Sequence, residues 1–494
     1  MWKLGAASVP MVMVLGGCTV GPSYQPPIIS TPTAYASPRD PGIPVANISS
    51  WWAAFDDPVL DGLVSRALVD NLDVQQATAR IRQARAQEMA ARRSGDPQVN
   101  ASAQGGYTKL SSNALPSSLA GLTGGNGDQS GGGALGLPGE GFANFQLGFD
   151  ASWEIDLFGG RRRANEAARA RTERAIWSQR DAEVTMVAEV ANTYQQYRAL
   201  RRRIAIADQA IAASRALLGF IQVRTAKGLV TTLDERQQER DIDQQLAQRE
   251  DLAAQAQAHI HALSVLLGLA PASLSVELAA VPLAPPVAVT VPAGLPSELL
   301  QRRPDIRAAE RQLAAATADI GVATADLYPK FSLTGALQLA SRSLSNLFST
   351  DSIQANGAGR LSLPLLGRGE TKATIHVREA QAQEAVLAYQ GDLLAAFKDV
   401  EDALTRLDAD RKRTGHLQAS ADAAQDSADT AAVRYRNGLT SYLDVLAAQQ
   451  TLLSARDVLA QAEAATAQDV VALYKALGGG WDEKRILEKE EPNG

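Results

Sequence analysis

The sequence predicts a mostly helical α+β chain with four transmembrane β-strands, long coiled-coil helices and two internal structural repeats. Three patterns predict this fold class. The two halves of the chain align with each other, four segments alternate apolar and polar residues over membrane-crossing lengths, and two stretches of about 65 residues contain no proline. With 494 residues, of which 45% are hydrophobic and 21% charged, the chain has the composition of a folded protein.

Composition excludes several classes of function. Lys and Arg number 48 against 54 Asp and Glu, and the net charge of −6 argues against binding to nucleic acid. One cysteine cannot form a disulfide within the chain, and four histidines leave little for a metal site. No set of nucleophile, base and orienting residue stands out. We therefore expect neither an enzyme nor a bound cofactor.

The N-terminus has the pattern of a lipoprotein signal. A short apolar stretch, residues 4–14, is followed by Leu-Gly-Gly and then Cys18. This resembles the lipobox of bacterial lipoproteins, which implies cleavage after residue 17 and attachment of diacylglycerol and an N-acyl lipid at Cys18. We predict a signal peptide at 1–17 and a lipid anchor with an extended segment at 18–56. No later stretch reaches 18 consecutive apolar residues, so no transmembrane helix is expected.

The rest of the chain consists of two copies of one unit. A shift of 232 residues aligns Gly62 with Gly294, and a shift of 210 residues aligns Gly228 with Gly438. The difference places an insertion in the first copy, in the Gly-rich stretch 109–144, which we interpret as a long exposed loop. The predicted segments are a first repeat at 57–269, a Pro-rich connector at 270–296, a second repeat at 297–478 and a charged tail at 479–494.

Each repeat supplies two predicted strands. From 145 to 157 the odd positions are apolar and the even positions are polar or glycine. A soluble sandwich strand alternates as well, but usually over about five or six residues. A dozen alternating residues instead match the roughly 9 to 11 that a tilted strand needs to cross a bilayer. The predicted strands are 98–108, 145–157, 330–340 and 355–365.

Four strands cannot close a barrel. Open sheet edges in hydrocarbon would leave backbone groups without hydrogen-bond partners. Because barrels begin at about eight strands, geometry alone calls for two or three chains. The polar positions would then face a water-filled lumen, which indicates a conduit rather than a packed core.

The predicted helices are longer than an ordinary domain core. The stretches 162–226 and 371–437 would each extend roughly 100 Å as helices, and further helices are predicted at 231–268 and 441–477. In the last helix a seam recurs every seven residues. Its members are Leu446, Leu453, Ala460, Ala467 and Tyr474. A solvated coiled-coil rod would explain the helices alone, whereas the membrane-length strands favour a helical tunnel. Three arginines at 201–203 predict a solvated face or a pair between subunits.

Three motifs resemble signatures of the TolC-like outer-membrane efflux factors. They are LPSELLQRRPDIRAAE at 295–310, ADLYPKF at 325–331 and YRNGLTSYLDVL at 435–446. The lipobox and the following GPSYQPP at 21–27 are similar to the lipoprotein branch of OprM and NodT type. The resemblance covers essentially the whole mature chain.

The resemblance implies a homotrimer with a shared twelve-stranded barrel in the outer membrane and an α-barrel in the periplasm. The implied partners are outer-membrane lipid, a periplasmic adaptor protein and an inner-membrane pump, commonly of the resistance-nodulation-division type. The implied function is the exit duct of a tripartite efflux system, which passively conducts drugs or other small molecules outward. Two alternatives stay open: the duct of a type I protein secretion system, and a non-conducting lipid-anchored coiled-coil scaffold.

The turns between the helices are the candidate functional sites. Gly228 and Gly438 fit the left-handed position that ends a helix. Two residue pairs have the spacing of a capping box, namely Thr231 with Asp234 and Ser441 with Asp444. By resemblance the second turn narrows toward the three-fold axis, which makes Leu443 and Asp444 the predicted periplasmic gate. The predicted adaptor contacts at the hairpin tips are Gly228, Thr231, Asp234, Gly438, Thr440 and Ser441.

Overall fold

The structure is a computed structural model that describes residues 19–27, 32–36, 48–109, 141–283, 289 and 302–482. Cys18 lies outside these residues, as do most of the predicted loop and parts of the connector and the tail. In chain order the main elements are α1 (Pro58–Asp70), α2 (Leu72–Arg93), β1 (Gln98–Lys109), β2 (Gly141–Ile155), α3 (Gly160–Ala226), α4 (Thr232–Leu266), α5 (Ser275–Ala279), α6 (Pro304–Ala325), β3 (Lys330–Ser341), β4 (Ile353–Ser362), α7 (Arg368–Arg436) and α8 (Tyr442–Ala476).

The chain divides by its internal contacts into two compact units. Unit 1 comprises Met1–Gln25, Ala86–Arg169 and Ala314–Gln383, and unit 2 comprises Pro26–Arg85, Ala170–Leu313 and Glu384–Gly494. Unit 1 contains two strands from each predicted repeat, and unit 2 contains most of one helical hairpin from each. The observed fold is thus a mostly helical α+β chain with a four-stranded sheet, as the sequence predicts.

The sheet of unit 1 is an antiparallel meander in the order β1-β2-β3-β4. Phe149 at the middle of β2 pairs with Ala101 on one side and Leu337 on the other. Its neighbour Asp150 pairs with Asn100 and Ala336. Because paired residues of an antiparallel sheet lie on the same face, the alternation of each strand adds up across the sheet.

One face of the sheet is therefore apolar and the other is polar. The apolar face carries, among others, Val99, Ala101, Leu147, Phe149, Trp153, Ile155, Phe331, Leu333, Leu337, Leu339, Ile353 and Leu361. The polar face carries, among others, Asn100, Ser102, Gln104, Gln146, Asp150, Ser152, Glu154, Ser332, Thr334, Gln338, Gln354, Asn356 and Arg360. The predicted separation of the two residue types onto opposite faces is confirmed.

Several strand ends differ from the sequence prediction. The alternation runs to Leu157, but β2 ends at Ile155, because Gly159 adopts a left-handed φ of 79° and Asp156 Oδ2 accepts the backbone N–H of Arg162 at 3.0 Å. The chain turns into α3 there. At its other end β2 begins at Gly141, inside the stretch predicted as loop, and β4 spans Ile353–Ser362 rather than 355–365. Past Ile155 the apolar-polar alternation continues in sequence, but the chain bends, and the Leu157 N–H donates to the carbonyl of Ile155 at 3.1 Å.

Unit 2 has a core to which several helices contribute. Leu63, Tyr194, Leu263, Leu393 and Leu473 lie on α1, α3, α4, α7 and α8, and each of these five side chains is fully buried. Asp57 beside this core has several hydrogen-bond partners. Asp57 accepts the Tyr194 hydroxyl at 3.0 Å and Arg198 at 2.5 Å, and it caps α1 through the backbone N–H of Val59 at 3.0 Å. Burial and the neighbouring carboxylate of Asp57 raise the pKa of Tyr194.

Among the described helices α3 is the one whose length and composition would allow it to cross a membrane. The same helix supplies Val187, Val190 and Tyr194 to the core of unit 2. Of the most apolar 18-residue stretch of this helix, 22% is buried within the described chain.

Candidate functional site

Two helical hairpins in unit 2 carry the predicted functional residues. The first hairpin consists of α3 and α4, and the second consists of α7 and α8. Gly228 and Gly438 have φ of 66° and 73°, as predicted for residues that end a helix. Leu229 N–H donates to Arg224 C=O at 3.0 Å, and Leu439 N–H donates to Arg434 C=O at 2.9 Å. The two turns thus have the same hydrogen-bonded geometry.

The two hairpins differ in how their second helix begins. Ser441 and Asp444 form the predicted capping box, with the Ser441 N–H donating to Asp444 Oδ2 at 3.0 Å and the Asp444 N–H to Ser441 Oγ at 3.3 Å. Thr231 is extended at the corresponding position, but its side chain makes no capping hydrogen bond. The prediction of a capping box there is wrong. In the second hairpin Thr440 also donates to Asp444 Oδ2, at 2.5 Å, whereas the first has the apolar Val230 at this place.

These hydrogen bonds lower the pKa of Asp444. Its Oδ2 accepts the hydroxyl of Thr440, the hydroxyl of Ser441 and the backbone N–H of Ser441, in that order of importance. All three favour the carboxylate over the neutral acid. Because the pKa is lower in the folded chain than in the unfolded one, the cap stabilises the helix at neutral pH. This contribution is lost as pH falls through the lowered pKa.

Exposed leucines surround both turns. Leu229 and Leu233 in the first hairpin and Leu439 and Leu443 in the second are all more than half exposed. Large apolar side chains that share one exposed end of a structure mark an interaction surface. We call these four residues the tip leucines. Leu443 is the predicted gate residue, and no prediction from sequence assigned a role to the other three.

A small apolar cluster joins the two hairpins behind the tips. It contains Ile221, Tyr435, Tyr442, Val445 and Leu446, all buried. The Tyr442 hydroxyl donates to Gln238 Oε1 at 2.8 Å, which links α8 to α4. Burial, with the nearby acids Asp241 and Asp234, raises the pKa of Tyr442 to about 12. The hydroxyl is therefore protonated and able to donate at every physiological pH.

Polar contacts continue this connection along the hairpins. Gln450 of α8 donates to Asp241 of α4 at 3.0 Å, and Arg203 of α3 binds both carboxylate oxygens of Asp457 at 2.6 and 3.1 Å. Arg202 pairs with Glu463 at 2.7 Å. Arg201 donates to the carbonyl of Leu278 at 3.0 Å. The arginines at 201–203 thus bind partners within their own chain, so the prediction of a solvated face is wrong, whereas a pair between subunits stays a prediction.

The polar face of the sheet is the second candidate site. Asn100 donates to Asp150 at 3.2 Å across β1 and β2, and Gln338 donates to Gln354 at 3.0 Å across β3 and β4. In the part of the chain that the structure describes, β1 and β4 each pair with one strand only. The sheet thus presents two open edges, one apolar face and one hydrogen-bonded polar face. Within those same residues no cluster of His, Cys, Asp and Glu could hold a metal ion.

Comparison with known proteins identifies the family to which this chain belongs. Residues 63–269 and 295–479 match the family described as outer membrane efflux protein. The chain is 32% identical to the pyoverdine export outer membrane protein OpmQ of Pseudomonas aeruginosa, over 96% of each chain. It is 30% identical to the toluene efflux pump outer membrane protein TtgI of Pseudomonas putida, over 96% of this chain and 98% of that protein.

A solved structure agrees with this match. The outer-membrane channel OprN is 32% identical and superposes with a TM-score of 0.81, over 94% of this chain and 100% of that chain. The resemblance carried by the three sequence motifs is thereby confirmed. The chain belongs to the outer membrane efflux protein family and is an outer-membrane protein that serves efflux.

Proposed function

We propose that this protein is the exit duct of a tripartite efflux system, which passively conducts small molecules from an inner-membrane pump and a periplasmic adaptor to the exterior. The observation that carries the proposal is the sheet of unit 1, with its continuous apolar face, its polar face and two open edges. An apolar face suits lipid and a polar face suits a water-filled lumen. A non-conducting scaffold would have no need of this arrangement.

The open edges support a homotrimer. Each edge strand has unpaired backbone groups that would be costly in hydrocarbon, so β1 of one chain would pair with β4 of the next. Three chains of four strands give a twelve-stranded barrel, as the family resemblance implies. The matched relatives are named for substrates as different as pyoverdine and toluene. Both substrates are small molecules, which favours efflux over type I protein secretion.

We further propose that the tip leucines and the turn residues around them contact the adaptor, and that the pump is of the resistance-nodulation-division type. A photo-crosslinking residue in place of Leu233 should capture the adaptor in cells, and mass spectrometry should identify it together with its pump. Val276 is a matched control, because it is also exposed but lies on α5, away from the turns. Capture of the same partner from both positions would contradict a tip-specific contact.

The lipid anchor is a proposal that rests on the lipobox. Cys18→Ser should abolish acylation and block cleavage by the lipoprotein peptidase, yet insertion of the strands should still hold the protein in the membrane. We expect no incorporation of labelled palmitate and partial retention of efflux, measured as drug susceptibility of a strain that depends on this channel. Label that persists in the variant would refute the assignment of Cys18.

The gate is proposed at Leu443 and Asp444, where three copies of each residue would approach the three-fold axis. Three carboxylates around a narrow opening attract cations and repel one another, while exposed leucines can pack to close it. Leu443→Ala and Asp444→Ala should each raise the conductance of the purified trimer in planar bilayers. Asp444→Ala should also weaken block by divalent cations added from the periplasmic side. If both variants match the wild type in conductance and in cation block, Asp444 is only a helix cap.

A further inference from the structure

The residues that directly follow Cys18 lie against the junction of β2 and α3. Val20 N–H donates to Phe158 C=O at 3.1 Å. A β-carbon built on Gly159 would lie 2.8 Å from Thr19 Cγ2 and 2.9 Å from Thr19 Cα. Real β-carbons do not approach other atoms so closely, so Thr19 packs directly on the backbone of Gly159. We call residues 19–23 the strap.

Arg163, in the first turn of α3, binds this strap. Its Nε donates to Val20 C=O at 3.3 Å, and its Nη2 donates to Gly21 C=O at 3.2 Å and to Ser23 Oγ at 3.1 Å. The remaining Nη1 pairs with Glu166 at 2.8 Å. The Arg163 side chain is only 6% exposed. A planar guanidinium with five N–H donors can serve three strap acceptors and a carboxylate together, which a lysine cannot do.

Two glycines provide the space for this contact. Gly21 has a left-handed φ of 85°, and a β-carbon on it would lie 2.5 Å from the Cα of Gly321 in α6. A β-carbon on Gly321 would in turn lie 2.7 Å from Arg163 Cγ. The strap thus crosses α6 backbone against backbone, and the Arg163 side chain passes over the same glycine. Only glycine allows both approaches.

The strap is held by polar contacts rather than by apolar burial. Thr19, Gly21 and Ser23 are exposed and Val20 is half-buried. A terminal segment with so little buried apolar surface would ordinarily be mobile unless hydrogen bonds tie it down. Arg163 and the carbonyl of Phe158 supply those bonds, so the contact depends on them.

The junction lies at one end of the sheet, and that end is rich in apolar side chains. Ile155 pairs with Phe331, next to the pair of Lys330 with Ser362, so the end of β2, the start of β3 and the end of β4 meet there. Beyond β4 the side chains of Leu363, Leu365 and Leu366 are exposed. Phe158 stacks on Tyr328 with ring centroids 4.8 Å apart. These side chains would suit contact with acyl chains.

We infer that this dock, formed by Arg163, Gly159 and Gly321, positions the strap so that the acyl chains on Cys18 enter the bilayer beside the β2–α3 junction. Consecutive Cα atoms are about 3.8 Å apart, so fixing Thr19 fixes the attachment point of the lipid to within one residue. Arg163 is a positioning residue for the anchor. The inference rests on the proposed lipidation of Cys18, whereas the dock itself consists of residues that the structure describes.

Proteolysis of the full-length trimer tests the dock. Chymotrypsin can cleave after Tyr24 only when the strap leaves its place, so the cleavage rate reports the open fraction. Arg163→Ala should raise this rate by about tenfold or more, since it removes three hydrogen bonds to a charged donor. Arg163→Lys should lie in between. Gly321→Ala should raise the rate as Arg163→Ala does, because its β-carbon would collide with Arg163, although alanine favours helix. Gly62→Ala is the control and should leave the rate unchanged, because nothing lies near a β-carbon at that helical glycine.

If Arg163→Ala fails to accumulate, Gly21→Ala provides the same test from the side of the strap. Wild-type cleavage rates in Arg163→Ala, Gly321→Ala and Gly21→Ala would overturn the dock.

The position of the lipid is tested separately with a photo-activatable palmitate fed to cells. Crosslinks at 156–158 or 363–366 that are lost in Arg163→Ala support the inference, and crosslinks confined to other segments overturn it. Failure of wild-type chain to take up palmitate would refute the proposed lipidation alone, because the proteolysis result does not depend on it.

Discussion

Replacing Phe149 with arginine is expected to remove most of the folded protein from the outer membrane. Phe149 lies at the middle of β2 on the apolar face, between Ala101 and Leu337, and its side chain is 61% exposed. If that face meets lipid, an arginine near the bilayer midplane costs about 2–4 kcal/mol per chain. A trimer would bear this cost three times. The measurement is the amount of folded protein in purified outer membranes.

The neighbouring residue provides the control. Asp150 is on the same strand but on the polar face, where it accepts a hydrogen bond from Asn100. Asp150→Arg therefore loses one exposed hydrogen bond and keeps its side chain in water, so near-wild-type levels of folded protein are expected. Equal tolerance of arginine at both positions would contradict the assignment of the apolar face to lipid, and with it the proposed barrel.

The faces of the sheet could be predicted from sequence because alternation is local information. A residue two positions along a strand always returns to the same face, whichever strand lies beside it. The ends of the strands were harder to place. Leu157 continues the pattern but is not in β2, because the turn at Gly159 and the capping of α3 by Asp156 end the strand first. Such ends depend on which residue finds a hydrogen-bond partner, and composition does not report that.

The hairpins show the same division between local and non-local information. The glycines of both turns were predictable from their spacing, and so was the cap at Ser441. The contacts between hairpins were not, because Arg203 and Asp457 are 254 positions apart and the arginine run resembles any charged surface stripe. No sequence pattern marked Gln238 or Asp241 as a residue with a role. Their buried side chains become meaningful only when the structure places Tyr442 and Gln450 beside them.

These contacts between the hairpins are expected to hold the resting channel closed. Under the proposed function the second hairpin must move for the tip to open, and that motion would break the bond of Tyr442 to Gln238 and the pair of Arg203 with Asp457. Tyr442→Phe leaves the fully buried Gln238 oxygen without this donor, at a cost of about 1–3 kcal/mol. Asp457→Ala removes the bidentate ion pair with Arg203, in which each side chain is 19% exposed. We expect a loss of free energy of similar order.

The double variant Tyr442→Phe with Asp457→Ala should therefore shift the opening equilibrium by more than about tenfold toward the open state, since 1.4 kcal/mol corresponds to a factor of about ten. Conductance of the purified protein in planar bilayers measures the shift. Thr451→Val and Asp408→Ala are matched controls, because the Thr451 hydroxyl bonds Ala447 within α8 and Asp408 pairs with Lys412 within α7. If the controls raise conductance as much as the double variant does, the contacts between the hairpins do not set the closed state. Equal conductance in the double variant and the wild type would lead to the same conclusion.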